Sequence, residues 1–219
     1  MAEHTVPTRE AIRIGATTMR NHFGRFVLLG VIVAATYGVL VAVNTQLPDG
    51  SSGSAVLGSL LSFVVGVVVQ LATIRVGLRF HRGERAEVSD MFAELRLLPR
   101  YAAATLVATV VIMVGLLLLV VPGVILAVRL AFYGYFLVDQ DAGPIESLRR
   151  SWHATRGITL KVLAFLFMLW IINVAGLLAL GVGLFVTVPI AIVATAYVYA
   201  AISPRAMVHD DLSVDDVVG

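Results

Sequence analysis

Six long apolar stretches, separated by short polar segments, dominate the pattern of hydrophobic and polar positions. They cover residues 26–43, 56–80, 102–121, 124–138, 158–180 and 184–202. A transmembrane helix needs about 20 mainly apolar residues, and only the stretch 124–138 is too short to cross. Because it measures about 22 Å, we expect this helix to continue through Asp139 or to lie in a thinned, protein-lined environment. The pattern predicts an all-α, polytopic integral membrane protein with six transmembrane helices.

Turn residues and amphipathic segments organise these helices into three hairpins. Pro122 and Gly123 favour a tight turn between the third and fourth helices, and residues 181–183 favour another between the fifth and sixth. A short amphipathic segment precedes each hairpin, at residues 8–22, 89–98 and 144–154. Such helices lie along the headgroup boundary, so we expect three interfacial helices. Residues 1–208 then form one membrane domain, and the acidic residues 209–219 form a tail too poor in apolar residues to fold by itself.

The basic residues give this domain an orientation. Of the 16 Lys and Arg residues, 12 fall in the N-terminal segment, the two segments between hairpins and the tail, and two more, Arg79 and Lys161, lie at the span ends beside these segments; the three opposite connectors contain none. By the positive-inside rule, we expect both termini to be cytoplasmic. Arg outnumbers Lys by 15 to 1, which is typical of GC-rich prokaryotic genomes, so the predicted location is the plasma membrane of a prokaryote.

Composition argues against a soluble enzyme. The chain is 59% hydrophobic and 14% charged, with a mean hydropathy of +0.93, whereas about a quarter of residues in a soluble domain are charged. It has no cysteine, its five histidines show no helical ligand spacing, and no catalytic motif is present. We therefore expect no enzymatic activity, no metal and no cofactor. Topology and anionic lipid explain the basic face, so we expect no nucleic-acid partner.

Small residues recur every four positions in three of the predicted helices. They are Gly30, Ala34 and Gly38; Gly58, Ser62 and Gly66; and Ala175, Ala179 and Gly183. Small side chains at this spacing let two helix backbones approach closely. These faces fit packing inside one six-helix bundle, and alternatively contacts in a homo-oligomer or a larger membrane complex.

Arg129 is the charge that the pattern places inside a span, far from either end. A central Arg costs at least about 2.5 kcal/mol, which makes it a functional candidate. Asn173 is its nearest polar residue in predicted depth, with backbone carbonyls and a lipid phosphate as rival partners. Arg129 then either fixes helix packing, binds an anion or lipid headgroup, or lines a translocation path. Arg129 and Asn173 form the predicted lipid or anion contact set together with Arg149, Arg150 and Arg156.

Residues 121–157, reading VPGVILAVRLAFYGYFLVDQDAGPIESLRRSWHATRG, resemble the signature stretch of a broad family of uncharacterised six-helix membrane proteins. This family includes the YciC-like proteins and the membrane domain attached to some glycerophosphoryl diester phosphodiesterases. The matching features are the Pro122-Gly123 turn, Arg129, Asp139 and the run from Glu146 to Gly157. The resemblance implies a membrane module. It does not imply hydrolysis, because the phosphodiesterases carry a separate catalytic barrel for which this chain has no residues.

The sequence therefore predicts a non-catalytic membrane module that organises lipid, anionic lipid above all, or a partner membrane protein. Basic amphipathic helices on one leaflet hold anionic headgroups with about 1 kcal/mol per well-placed cation. One alternative is a small-solute transporter or channel in which Arg129 and Gln70 line the path. The other is an accessory subunit of a larger membrane complex.

Overall fold

The computed structural model describes residues 52–82, 94–178 and 183–203, together with the isolated positions 12, 13, 24, 38, 41, 42 and 45. Across these residues every regular element is a helix. The elements are α1 (Ser52–His81), a 3-10 turn (Glu94–Leu97), α2 (Leu98–Leu118), α3 (Val120–Leu130), α4 (Tyr133–Gln140), α5 (Pro144–Ala154), α6 (Thr159–Leu178) and α7 (Leu184–Ile202). Nearly all of the first predicted span and first interfacial segment, part of the second interfacial segment, and the acidic tail lie outside the described residues.

In the part of the chain that the structure describes, four helical segments are long and apolar enough to cross a membrane. They are Val56–Phe80, Leu98–Leu118, Val120–Gln140 and Thr159–Leu178, and Val186–Ile202 is a shorter apolar helix. Large apolar side chains cover their outer faces; Leu117, Leu160 and Leu178 are 77–88% exposed. Exposing such surface to water would cost about 25 cal/mol per Å², so these faces belong in hydrocarbon. The predicted class, an all-helical membrane protein, is confirmed.

The fourth span consists of two helices in succession. Val120–Gln140 is 21 residues long and is interrupted at residues 131–132, between α3 and α4. At about 1.5 Å per residue the two helices together are about 31 Å long, a length similar to the thickness of the hydrocarbon. The span therefore does run on through Asp139, one of the two solutions that its short apolar stretch required.

The turn between α2 and α3 corrects one prediction, because it falls at Leu119 and not at Pro122-Gly123. Leu119 has extended backbone angles, φ −167° and ψ 147°, and α3 begins at the next residue. Pro122 is tolerated in the first turn of a helix, where an N–H would have no intrahelical acceptor. Gly123 serves the hairpin differently: a Cβ on it would lie 2.7 Å from the Leu116 nitrogen, so only glycine allows α2 and α3 to approach this closely.

The core lies around the short helix α4. Phe132, Phe136 and Leu137 are at most 1% exposed. The Tyr135 ring stacks on Tyr199 with centroids 5.3 Å apart, and Phe136 meets the same tyrosine edge-on at 5.0 Å. Such aromatic pairs add about 0.5–1.5 kcal/mol beyond the area they bury. These contacts hold α4 and α7 together at the end of the bundle that carries Arg82, Arg100 and α5, which we call the basic end.

The small residues of the predicted packing faces occupy different environments. A Cβ on Gly183 would lie 2.6 Å from the Gly176 Cα, so α6 and α7 meet closely at their turn. Gly58 is buried, and the Ser62 hydroxyl donates to its carbonyl at 2.7 Å. A Cβ on Gly66 would meet nothing within 4 Å in the described part of the chain, and the same holds for Gly38. Ala175 is exposed, and Gly30, Ala34 and Ala179 lie outside the described residues.

Candidate functional site

Arg129 lies in the last turn of α3, and its guanidinium rests on the indole ring of Trp152 in α5. The guanidinium carbon is 4.4 Å from the ring centroid, within the range of a cation–π interaction. The Arg129 Nε is buried and has no hydrogen-bond partner among the described residues. An aromatic face therefore holds the charge, and the Nε–H donor beside it is buried.

Asn173 does not partner Arg129, which corrects the expected pairing. The Asn173 side-chain oxygen accepts a hydrogen bond from Thr187 at 3.1 Å, and its amide donates to the Leu169 carbonyl at 2.9 Å. These bonds tie α6 to α7 near their turn. The Arg129 carbonyl lies instead at the opposite end of α6, where it accepts from Thr155 at 3.4 Å. Asn173 is 14 residues beyond the start of α6, about 21 Å along that helix.

Ser151 satisfies the backbone at the break between α3 and α4. Its hydroxyl donates to the Arg129 carbonyl at 2.7 Å and accepts the Phe132 N–H at 3.2 Å. A broken helix inside a membrane has no water for its freed backbone groups, so a side chain must replace the missing bonds. Helix α5 therefore does more than lie on the surface, because it completes the hydrogen bonding of the fourth span.

A stripe of small hydroxyl residues docks α5 into the bundle. Ser147, Ser151 and Thr155 recur every four positions, and all three are fully buried. Helix α5 runs from Pro144 to Ala154, the residues of the third predicted interfacial segment, and hydroxyl side chains form much of its buried face. Ile145, an apolar residue of this amphipathic segment, is 63% exposed, because the contact requires short side chains that can also hydrogen-bond. The four-residue spacing of Ser and Thr was a signal for this face that the hydrophobic pattern concealed.

The opposite face of α5 presents cations to the outside. Arg149 and His153 of α5, and Arg156 in the turn that follows the helix, are all exposed. Within the described part of the chain, neither Arg149 nor Arg156 has an ion-pair partner. The exposed apolar side chains of Ile145 and Leu160 lie close to them in the sequence. Cations beside exposed apolar groups fit the boundary between headgroups and hydrocarbon.

Arg150 differs from its two neighbours because it is engaged inside the protein. It donates one hydrogen bond to the Gln140 side-chain oxygen and another to Glu146, one turn away in α5. The side chain is 38% exposed. Of the three predicted lipid-contact arginines in and just after α5, the structure therefore places Arg149 and Arg156 on the open surface and Arg150 in a network that fixes α5 against α4.

Asp139 is the centre of a second polar group, the Asp139 cluster. Its side chain is only 7% exposed; it accepts a hydrogen bond from the Tyr199 hydroxyl at 2.9 Å and forms an ion pair with Arg82. The adjacent Gln140 amide donates to Tyr199 at 3.2 Å and to Ser203 at 3.0 Å. These five residues join the ends of α1, α4 and α7 at the basic end. Arg82 and Tyr199 are 57 and 60 positions away from Asp139 along the chain. No local sequence pattern could therefore indicate the partners of Asp139.

The Arg129–Trp152 pair with its neighbouring arginines, and the Asp139 cluster, are better suited to binding anions than to catalysing a reaction. Within the described residues, no three His, Asp or Glu side chains come together as a metal site would require. The Asp139 carboxylate is already paired with Arg82 and Tyr199. Arg129, Arg149 and Arg156 are the cations near Trp152 that the described ion pairs leave available.

Comparison with known proteins gives the family. Residues 88–212 match a family described as a domain of unknown function, DUF7847, and this match covers more than half of the chain. The chain therefore belongs to the DUF7847 family.

Two bacterial relatives are named as membrane proteins. A UPF0259 membrane protein of Sodalis glossinidius (strain morsitans) is 32% identical over 84 residues, 38% of this chain and 33% of the relative. A UPF0259 membrane protein of Photorhabdus laumondii is 32% identical over 123 residues, 56% of this chain and 45% of the relative. The matched segments thus span less than half of each relative. No solved structure matches the chain. With its apolar helices, the chain is a membrane protein with bacterial membrane-protein relatives.

Proposed function

We propose that the protein is a non-catalytic membrane module that organises anionic lipid through α5. The observation that supports this most directly is the exposed pair Arg149 and Arg156, without ion-pair partners in the described residues, beside the Arg129–Trp152 stack. A lipid phosphate would bind the two exposed guanidinium groups, and the charge of Arg129 on Trp152 would add to their attraction. The docking of α5 by its serine and threonine stripe keeps these cations at a fixed position.

The basic residues also support an orientation for this module. We propose that the basic end faces the cytoplasm of a prokaryotic cell, since basic residues concentrate on the cytoplasmic side of membrane proteins. The cytoplasmic leaflet carries anionic lipid, which attracts each nearby cation by about 1 kcal/mol. Loss of two such cations should therefore lower the relative affinity for anionic lipid roughly 30-fold.

A double variant tests the lipid proposal. Arg149→Gln with Arg156→Gln removes both free cations without touching the buried stripe of α5. The matched control is Arg100→Gln, because Arg100 is also exposed but already pairs with Asp141 at 3.2 Å. The measurement is the ratio of phosphatidylglycerol to phosphatidylcholine retained after reconstitution in mixed nanodiscs. We expect the double variant to lose the preference and the control to keep it. An unchanged preference in a folded double variant would refute the proposal.

Arg129→Leu tests the contribution of the arginine on Trp152. The substitution removes the charge and its contact with the indole ring and leaves a shorter, apolar side chain. We expect weaker retention of phosphatidylglycerol with helical content unchanged by circular dichroism. If folding and lipid content are both unaltered, Arg129 belongs to helix packing alone.

The break in the fourth span favours one rival function, small-solute transport. Interrupted helices form the binding sites of many transporters. Here, however, Phe132 at the break is fully buried and Ser151 fills the hydrogen-bonding gap, which supports a closed bundle. A water-filled path would expose Gln70→Cys and Arg129→Cys to a membrane-impermeant thiol reagent. Labelling at both positions would favour transport over the lipid module.

We further propose that the family extends to the YciC-like proteins and the membrane domain of glycerophosphoryl diester phosphodiesterases. The support is the stretch of residues 121–157, which contains Arg129 of the stack on Trp152 and Asp139 of the Asp139 cluster. The predicted alternatives of a homo-oligomer or an accessory subunit have a direct test. The mass of the natively purified protein would show added subunits, and a foreign subunit would favour the accessory role.

A further inference from the structure

The turn between α2 and α3 carries no polar side chain. Residues 110–128 are 19 consecutive positions without one polar or charged group. At the turn itself, Leu117, Leu118 and Leu119 are 68–88% exposed. The first connector, residues 44–54, contrasts with this, because seven of its 11 side chains are Asn, Thr, Gln, Asp or Ser. Only the first connector has the composition of a loop that meets water.

A close contact fixes three helices at one level near the basic end. A Cβ on Gly134 of α4 would lie 2.7 Å from Ile74 in α1 and 2.9 Å from the Tyr101 hydroxyl in α2. Arg100, which precedes Tyr101, is exposed and pairs with the exposed Asp141. Charged groups of this kind lie outside the hydrocarbon, so the level of Tyr101 is close to its edge on the basic side.

Measured from this level toward the end of the bundle opposite the basic end, α1, α2 and the α3–α4 span differ in length. Ser52, at the start of α1, is 22 residues from Ile74, about 33 Å. Leu118, at the end of α2, is 17 residues from Tyr101, about 26 Å. The return leg is shorter still, because Val120 is 14 residues from Gly134, about 21 Å. The hydrocarbon is about 30 Å thick, so α1 reaches its far edge and the α2–α3 turn does not. If the basic-side edge of the hydrocarbon lay at the level of α5 instead of Tyr101, the distance from the turn to the opposite edge would be larger still.

The backbone of the turn exposes few donors. A helix leaves four N–H groups unpaired at its start. At the start of α3, Pro122 has no N–H, and Gly123 donates to the Leu119 carbonyl at 3.2 Å. The Leu119 N–H in turn donates to the Gly115 carbonyl at 3.0 Å. This pairing removes part of the cost of placing the turn where no water is present, and the N–H groups of Val120 and Val121, which have no acceptor among the described residues, account for the remainder.

We infer that the α2–α3 turn ends inside the hydrocarbon of the leaflet opposite the basic end, where lipid acyl chains cover it. The α2–α3 hairpin enters and leaves on the basic side without reaching the opposite aqueous phase. Hairpins that return to the side they started from leave the rest of the topology unchanged. The inference is independent of the lipid-headgroup proposal, because it concerns the other end of the molecule.

Single cysteines test this inference, since the natural chain contains none. Leu118→Cys places a thiol at the turn, and Leu117→Cys is a second probe should the first variant fold poorly. Gly53→Cys is the control at the start of α1, where a Cβ meets nothing within 4 Å. Each variant is reconstituted in phosphatidylglycerol–phosphatidylcholine vesicles and treated with a membrane-impermeant maleimide added to both sides. A bimane probe, attached at the same thiol before reconstitution, is then quenched by lipids brominated at different depths of the chain.

We expect Gly53→Cys to react rapidly and the turn cysteines to react at least tenfold more slowly until the vesicles are dissolved in detergent. The bimane at the turn should be quenched most by bromines deep in the acyl chain. Maleimide labelling of the turn as fast as Gly53→Cys would overturn the inference, because the turn would then reach water. Strongest quenching by bromines nearest the headgroup would overturn it as well. Absence of any quenching would show that protein, and not lipid, covers the turn.

Discussion

The ion pair between Arg82 and Asp139 offers the sharpest test of how the basic end is held together. The Asp139 side chain is 7% exposed and that of Arg82 is 47% exposed, so the pair is buried on one side only. Removing one partner of a fully buried pair costs about 3–5 kcal/mol, and an exposed pair contributes about 0–1 kcal/mol. For Arg82→Gln, which leaves a buried carboxylate without its cation, we expect a loss of about 1–3 kcal/mol in the free energy of unfolding.

The reverse substitution should cost less, because the remaining charge can reach water. Asp139→Asn keeps an acceptor for the Tyr199 hydroxyl and leaves Arg82 half-exposed, so we expect a loss of about 0.5–1.5 kcal/mol. In the double variant no charge is left unpaired, and its cost should fall at least about 0.5 kcal/mol below the sum of the single costs. The assay is equilibrium unfolding in mixed micelles titrated with SDS, followed by circular dichroism. Costs that add, or Arg82→Gln without effect, would refute the role assigned to the pair.

Three further predictions concern packing. Ser151→Ala leaves the backbone at the helix break unsatisfied and should cost about 1–3 kcal/mol, whereas Ser147→Ala, which loses only a bond within α5, should cost less; SDS unfolding compares them. Gly134→Ala forces a Cβ against two side chains and should cost about 1–3 kcal/mol, whereas Gly66→Ala has open space and should be neutral or stabilising; equal thermal stabilities in detergent would contradict this. Thr187→Val removes a hydrogen bond between α6 and α7 and should cost about 0.6 kcal/mol by the same unfolding assay, with a loss above about 2 kcal/mol inconsistent with one bond.

The contrast between Arg129 and Asp139 shows where reasoning from the sequence succeeded. The apolar pattern placed Arg129 inside a span, and the structure finds it there, in the last turn of α3. The pattern could not supply its neighbour, because Trp152 belongs to a segment expected to lie flat on the membrane surface. Asp139 was reached through the length of the fourth span and the family resemblance, and neither indicates its partners. Its partner Arg82 is 57 positions away, and no local spacing reports a contact of that range.

Helix α5 shows the same limit in its packing. Its bounds followed from Pro144 and the amphipathic pattern, because helix starts and periodicity are local properties. The face of α5 that packs against the bundle could not be predicted from local properties. The buried face depends on the backbone groups that the break in the fourth span leaves open, and hydroxyl side chains meet that need where larger apolar ones would not fit.

The sequence by itself determined that the chain is helical and membrane-bound, because span length and apolar content follow from bilayer thickness alone. It also determined that cations concentrate at one end. Tertiary structure decided that the turn between α2 and α3 falls at Leu119, that Ser151 completes a broken span, and that Arg150 is engaged while Arg149 and Arg156 are open. These features arise from contacts between helices distant in sequence, and the energy of each contact depends on which groups the fold leaves unsatisfied.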